Sequence, residues 1–231
     1  MVPRQRLPLG GLGLWVGLGL GLTACPAEQL GVELPRGGVE AVSPEDLRRD
    51  AGDLEAAPSP EAAGELLARR LAQMRLLPAF GSAWTHPGPG GPLVCGRKEG
   101  KAPRALLVVA MGAPSRTEGA VAWAGLISLA KAWDRPGRPP RTILLCALVG
   151  PPDLEALAAT PPQPLDQVDS AWILESLHGP AVSGQPRELG PLSAERLYTD
   201  AAVPADVGAV DHRIVAEQLR AAFARITGDG G

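Results

Sequence analysis

Aromatic residues make up only 3% of this 231-residue chain, with a single tyrosine and two phenylalanines. Its hydrophobic core must therefore be aliphatic, built from the plentiful Ala, Leu and Val. Histidine is as scarce, at His86, His178 and His212, and there are three cysteines, at positions 25, 95 and 146. Cys95 and Cys146 alone cannot make a zinc site. Surplus positive charge is also missing. The net charge is −3, which argues against a nucleic-acid partner. No Gly-x-Ser-x-Gly elbow occurs, and no Walker or dinucleotide glycine pattern follows a strand. Ser176 and Ser183 lack a placed base, and no internal repeat is visible. At this length the chain fits one domain of ordinary size.

The N-terminus is not fold. Arg4 and Arg6 precede a Gly-rich apolar run, Leu7 to Leu22, and the small residues Thr23 and Ala24 lead to Cys25. This is the layout of a secretory signal. Leu22-Thr23-Ala24-Cys25 resembles the lipobox of bacterial lipoproteins, which implies cleavage before Cys25 and acylation of its thiol. Acyl chains would hold the protein on a membrane without a spanning helix. Pro26 in place of an acidic residue implies the periplasmic face of the outer membrane. Residues 1–24 are thus read as a signal peptide, 25–41 as a tether and 42–228 as the domain. In an exported chain Cys95 and Cys146 could pair. Both fall in expected strands, however, and the favoured reading is two small apolar core residues.

Ser43-Pro44-Glu45-Asp46 is a good helix start. After Pro58 and Pro60, Ala63, Leu66, Leu67, Leu71, Met74 and Leu77 recur at helical spacing. Arg69, Arg70 and Arg75 then form a solvated face, and Met74 fills core. A Pro/Gly loop at 85–92 places His86 in solvent. "LVCGR" (93–97) is a short strand, and "RALLVVAMG" (104–112) reads as a strand buried on both faces. "TEGAVAWAGLISLAKAW" (117–133) is a helix with its inward stripe at Ala120, Trp123, Ile127 and Ala130. "RTILLCALV" (141–149) is the next buried strand, and "SAWILESL" (170–177) is another. Val215, Leu219, Ala222 and Ile226 face inward from a closing helix that opens on an exposed His212. The strand–helix–strand order predicts parallel pairing. The fold class is α/β, a three-layer α/β/α sandwich with a mixed, mainly parallel central sheet.

In order and spacing, "VSPEDLRRDAGDLEAAPSPEAAGELLARRLAQMRLLPA", "PLVCGRKEGKAPRALLVVA", "GAVAWAGLISLAKAW" and "RTILLCALVG" resemble the co-catalytic di-zinc aminopeptidases. Relatives of that family include glutaminyl cyclases and the transferrin-receptor ectodomain. The resemblance covers about residues 42–150. It implies a zinc-binding His-x-Asp phrase where this chain has Met111-Gly112-Ala113. It implies a metal-bridging Asp where Val121 and Ala122 follow Gly119-Ala120. It implies a Glu-Glu base and ligand where Pro151 and Pro152 follow Gly150. Glu175 stands nearest a later ligand Asp, and no His accompanies Tyr198-Thr199-Asp200 where the last ligand belongs.

A catalytic zinc needs about three His, Asp, Glu or Cys ligands and an open position for water. Thioether, methyl and pyrrolidine groups neither hold zinc nor take a proton. The expectation is a lipid-anchored envelope protein with an inactive aminopeptidase-like domain that needs no cofactor and binds a peptide or protein. The alternative is an active zinc hydrolase with relocated ligands drawn from Glu175, His178 and Asp200. Glu175 and His178 have E-x-x-H spacing, but in a strand and loop they would not share a face. "GAPSRTEGA" (112–120) places Arg116 at a helix N-terminus, where an anion could bind, but the favoured reading is a plain connecting loop.

Overall fold

The computed structural model describes residues 37–112, 115–151, 153–180 and 182–227. Cys25, the signal, most of the tether, Ala113 and Pro152 lie outside these. In chain order the elements are α1 (Pro44–Glu55), α2 (Pro60–Ala72), β1 (Leu77–Pro78), β2 (Thr85–His86), β3 (Leu93–Lys98), β4 (Ala102–Met111), α3 (Arg116–Trp133), β5 (Arg141–Leu148), α4 (Leu154–Ala159), β6 (Val168–Leu174), β7 (Val182–Ser183), β8 (Arg187–Leu189), β9 (Leu192–Tyr198) and α5 (His212–Thr227).

The sheet runs β1-β3-β5-β4-β6-β9-β7, with β2 also on β3 and β8 also on β9. Its centre, β5-β4-β6-β9, is parallel. Antiparallel strands finish both sides. One apolar layer joins α1, α2, α3 and α5 to the face carrying Val94, Leu106, Val108, Ile143, Leu145 and Trp172. The other joins the face carrying Leu107, Val109, Leu144, Cys146 and Ile173 to Leu157 of the short helix α4 and its flanking loops. The sandwich is therefore thick on one side and thin on the other.

Helix starts follow the sequence. Ser43 and Ser59 each accept a backbone N–H at 3.2 Å, and a proline opens the first turn of both helices. These caps satisfy otherwise orphaned donors. Helix α3 departs from its expected stripe, since every residue except Arg116 and Lys131 is buried. It lies between the sheet, α1 and α5, and a helix enclosed on all sides is apolar all round. Its small residues permit this closeness, as at Gly125, where an added Cβ would stand 3.2 Å from Leu177. Leu77, expected on the α2 stripe, instead opens β1 and is 45% exposed. Residues 37–41, read as the end of the tether, fold against the domain: Gly38 N–H donates to the Ala132 carbonyl (2.8 Å) and Ala41 is buried.

Three further expectations are corrected. His212 is buried, not exposed. Desolvation, partly offset by its hydrogen bond at the Val210 backbone, holds its imidazole below the ordinary histidine range. His86 is half-buried in β2, paired with Leu93. Cys95 and Cys146 are joined as a disulfide rather than standing free. They face each other across β3 and β5 with Cα atoms 4.2 Å apart. The Cys95 N–H donates to Trp84 O (2.9 Å), away from β5. This is the closely spaced, non-hydrogen-bonded kind of cross-strand pair.

Candidate ligand site at the carboxyl edge of the sheet

In open α/β sheets ligands sit beyond the carboxyl ends of the strands. Here β4 ends in Met111, whose side chain is 1% exposed in the core. The next residue, Gly112, packs on the β5 exit, where its N–H donates to Leu148 O at 2.8 Å. A Cβ on Gly112 would overlap the Gly150 carbonyl oxygen. Gly150 has φ +129° and in turn lies against the Gly90 backbone. Only glycine allows this conformation and this approach. Backbone thus fills the space between the β4 and β5 exits. Val121, in the second turn of α3, is fully buried in the core. Pro151 is exposed.

The polar residues at this edge bind one another. Ser115 caps α3 by accepting the Glu118 N–H (3.2 Å), and its hydroxyl donates to Glu118 Oε2 (2.8 Å). Glu118 Oε1 accepts the Ser176 hydroxyl at 2.9 Å. Sequence reading passed over Glu118, although Ser115-Arg116-Thr117-Glu118 is the S-x-x-E pattern of a capping box. Ser176, left without a partner by the sequence, thus has a carboxylate beside it. Its backbone is left-handed, with φ +51°. A carboxylate alone is a poor activator of serine, and no hydrogen bond joins Ser176 to a histidine, so no nucleophilic triad forms among the described residues. Thr117 donates to Glu55 Oε1 (2.6 Å) and Val207 N–H to Glu55 Oε2 (3.3 Å), tying α1 and the 207–209 turn to the start of α3.

The relocated ligand set does not assemble. Glu175 accepts both Nε (3.0 Å) and Nη2 (2.6 Å) of Arg196 and pairs with Arg187 at 3.0 Å. Its charge is already matched. The His178 ring is buried, with Nε2 3.0 Å from Ala201 O and Nδ1 3.9 Å from Glu118 Oε1. Asp200 is exposed. Among the described residues no group of three or more His, Cys, Asp or Glu side chains is placed to hold a metal ion. The donors present do not fit a catalytic zinc.

Beside the closed edge lies an apolar cavity of about 490 Å³. Leu54, Ala63 and Trp123 line it, the Pro58–Pro60 turn and Pro151 form one rim, and Arg116 stands at another. Trp123 is fixed by its indole N–H, which donates to Leu148 O (3.1 Å). Arg116 is exposed and has no ion pair or side-chain hydrogen bond among the described residues. The volume lies within the range of small-ligand pockets, which are mostly apolar with a few placed polar groups.

No family profile matches the chain's sequence, and neither does any curated protein. Solved structures do match. A glutaminyl cyclase from Porphyromonas gingivalis superposes with a TM-score of 0.62 at 8% identity, covering 83% of this chain and 100% of that one. A Zn-dependent exopeptidase from Parabacteroides distasonis gives 0.59 at 9% identity, covering 80% and 98%. A glutaminyl cyclase from an Acidobacteriales bacterium gives 0.60 at 11% identity, covering 89% and 100%. The chain has the fold of the zinc-dependent exopeptidases and glutaminyl cyclases.

Proposed function

We propose that this is a lipid-anchored protein of the bacterial cell envelope whose peptidase-like domain binds a peptide or protein without cleaving it. The observation that carries this reading is the carboxyl edge of the sheet. Met111, Gly112, Gly150 and Pro151 close it with core side chain, backbone and pyrrolidine, and an apolar cavity opens beside it. Neither metal activation nor proton transfer has a side chain to perform it at those positions. The buried Cys95–Cys146 bond supports export, because disulfides persist in oxidising compartments. Among the described residues no helix is long and apolar enough to cross a membrane. Attachment is assigned to an acylated Cys25 on the lipobox-like Leu22-Thr23-Ala24-Cys25.

The cavity's chemistry favours a peptide that offers an apolar side chain next to a carboxylate. The side chain would lie against Trp123 and Leu54, and the carboxylate would meet Arg116. Calorimetry with the full chain and short peptides of this kind tests the assignment. Arg116→Glu is expected to weaken binding about tenfold, ~1.4 kcal/mol, and Pro58→Trp is expected to block it by narrowing the mouth. Equal binding to wild type and both variants would remove the cavity from the account.

A further inference from the structure

The opposite end of the sheet carries a different chemistry. Two neighbouring turns form it, one between β3 and β4 and one between α3 and β5. Backbone hydrogen bonds join them, Lys101 N–H to Pro139 O (2.9 Å) and Ala102 N–H to Pro140 O (3.0 Å). Stretches 98–104 and 134–141 hold six cations (Lys98, Lys101, Arg104, Arg135, Arg138 and Arg141) against Glu99 and Asp134, six minus two or +4, in a chain of net charge −3. Asp166 and Asp169, just before and at the start of β6, lie at the same strand end and lower this to +2. Some of these are engaged internally. Lys98 Nζ donates to the Trp133 and Arg135 carbonyls, both at 2.6 Å, closing the end of α3. Arg104 pairs with Asp169 at 2.8 Å, Arg138 with Glu99 at 3.1 Å, and Arg141 Nη2 donates to Ile226 O at 3.3 Å. Lys101 and Arg135 are exposed and have no such side-chain partner among the described residues.

Between the α3–β5 turn and the end of α5 is a hollow of about 290 Å³, rimmed by Arg135, Arg138 and prolines and floored by Trp133 and Phe223. Those two rings stand 5.1 Å apart. The chain also enters the domain here. A Cβ on Gly37 would stand 2.5 Å from the Arg135 side chain, and Gly38 is bonded to the end of α3. Cys25 lies twelve residues before Gly37, a span that reaches at most about 40 Å when fully extended.

We propose that this basic end is a docking surface for the anionic headgroups of the membrane. Lys101, Arg135 and Arg138 would meet the phosphates, and the aromatic-floored hollow would receive the glycerol part. The orientation follows, since the candidate ligand cavity then opens away from the bilayer at the far end of the parallel strands. The choice of a membrane rests on the lipid-anchor reading. The charge asymmetry, the free cations and the entry of the chain stand without it.

The test is amide hydrogen exchange on the full chain with vesicles of phosphatidylcholine alone and of phosphatidylcholine mixed with phosphatidylglycerol, at low and high salt. Exchange across 98–102 and 134–141 is expected to slow on the anionic vesicles only, and high salt should reverse this. Charge reversal by Arg135→Glu with Arg138→Glu should weaken the protection about tenfold or more. Equal protection by neutral vesicles, or none by anionic ones, overturns the proposal. So does the same protection by inorganic phosphate or by an oligonucleotide when the anionic vesicles give none. Acylation of Cys25 is read separately, as a mass shift of the exported chain that Cys25→Ala abolishes. The anchor and the docking surface can therefore fail independently.

Discussion

Reducing the Cys95–Cys146 disulfide is expected to lower the unfolding free energy by roughly 4 kcal/mol. The bond closes a loop whose ends are 51 residues apart, and cross-linking a loop of that size removes about this much from the unfolded chain in the entropy model. The loop contains β4 and α3, so the bond ties the antiparallel side of the sheet to the strand–helix–strand unit beside it. Both sulfurs lie in the thinner of the two apolar layers, where one six-residue helix is the main cover. Urea unfolding with and without a reductant measures the effect. Reduced wild type retains both side chains, which separates the cross-link from packing. Paired Cys95→Ala and Cys146→Ala substitutions add a cavity cost to it. An unchanged midpoint on reduction would mean that the bond does not form in solution.

A comparable loss is expected from Lys131→Met. Asp50 is 1% exposed within α1, and Lys131 Nζ approaches it at 2.9 Å from α3. The same ammonium reaches Asp46 at 3.1 Å, while Arg49 and Arg70 stand at 3.5 and 3.6 Å from Asp50. Removing the lysine leaves a buried carboxylate without its nearest cation, which costs about 3 kcal/mol. Adding Asp50→Asn should recover part of that, and a double-mutant cycle gives the coupling directly. The pH dependence has a definite sign. Burial raises the Asp46 carboxyl, but Lys131 and Arg49 together hold it below its ordinary range. Its contribution is therefore complete above about pH 4 and is lost as pH falls through the folded value. The gap between wild type and Lys131→Met should narrow in acid. A gap independent of pH with no recovery in the double variant would assign the loss to packing of the lysine stem.

Much of this fold was legible because periodicity and caps agreed. The Ser-Pro starts of α1 and α2 and the continuous apolar runs of β4 and β5 each allow one local structure. Strand β9 was not legible. β9 reads Leu-Ser-Ala-Glu-Arg-Leu-Tyr, with too few apolar residues to mark it, and it is a strand because β6 pairs with it. Cys95 and Cys146 are far apart in sequence, and their pairing depends on the β3–β5 register, which no local pattern encodes. His212 looked exposed because it opens a helix, but the turn before that helix brings it inward.

At the candidate site, sequence located the strand ends and their residue types. It could not show that Gly112, Gly150 and Gly90 bring three backbones together there, since glycine is compatible with an open loop as well. It also missed the cavity, whose walls come from α1, α2, α3 and the β5 exit. Glu175 was the best relocated ligand by position alone. Arg187 and Arg196, which neutralise it, are neighbours only once β8 and β9 are in place.

We read this chain as lacking the metal chemistry of the enzymes whose fold it shares. The direct test is zinc content of the full chain after expression or refolding with zinc, read together with hydrolysis of aminoacyl anilides. Zinc far below one ion per chain and no hydrolysis above buffer are expected. Stoichiometric zinc with anilide cleavage, both lost in His178→Ala, would contradict it.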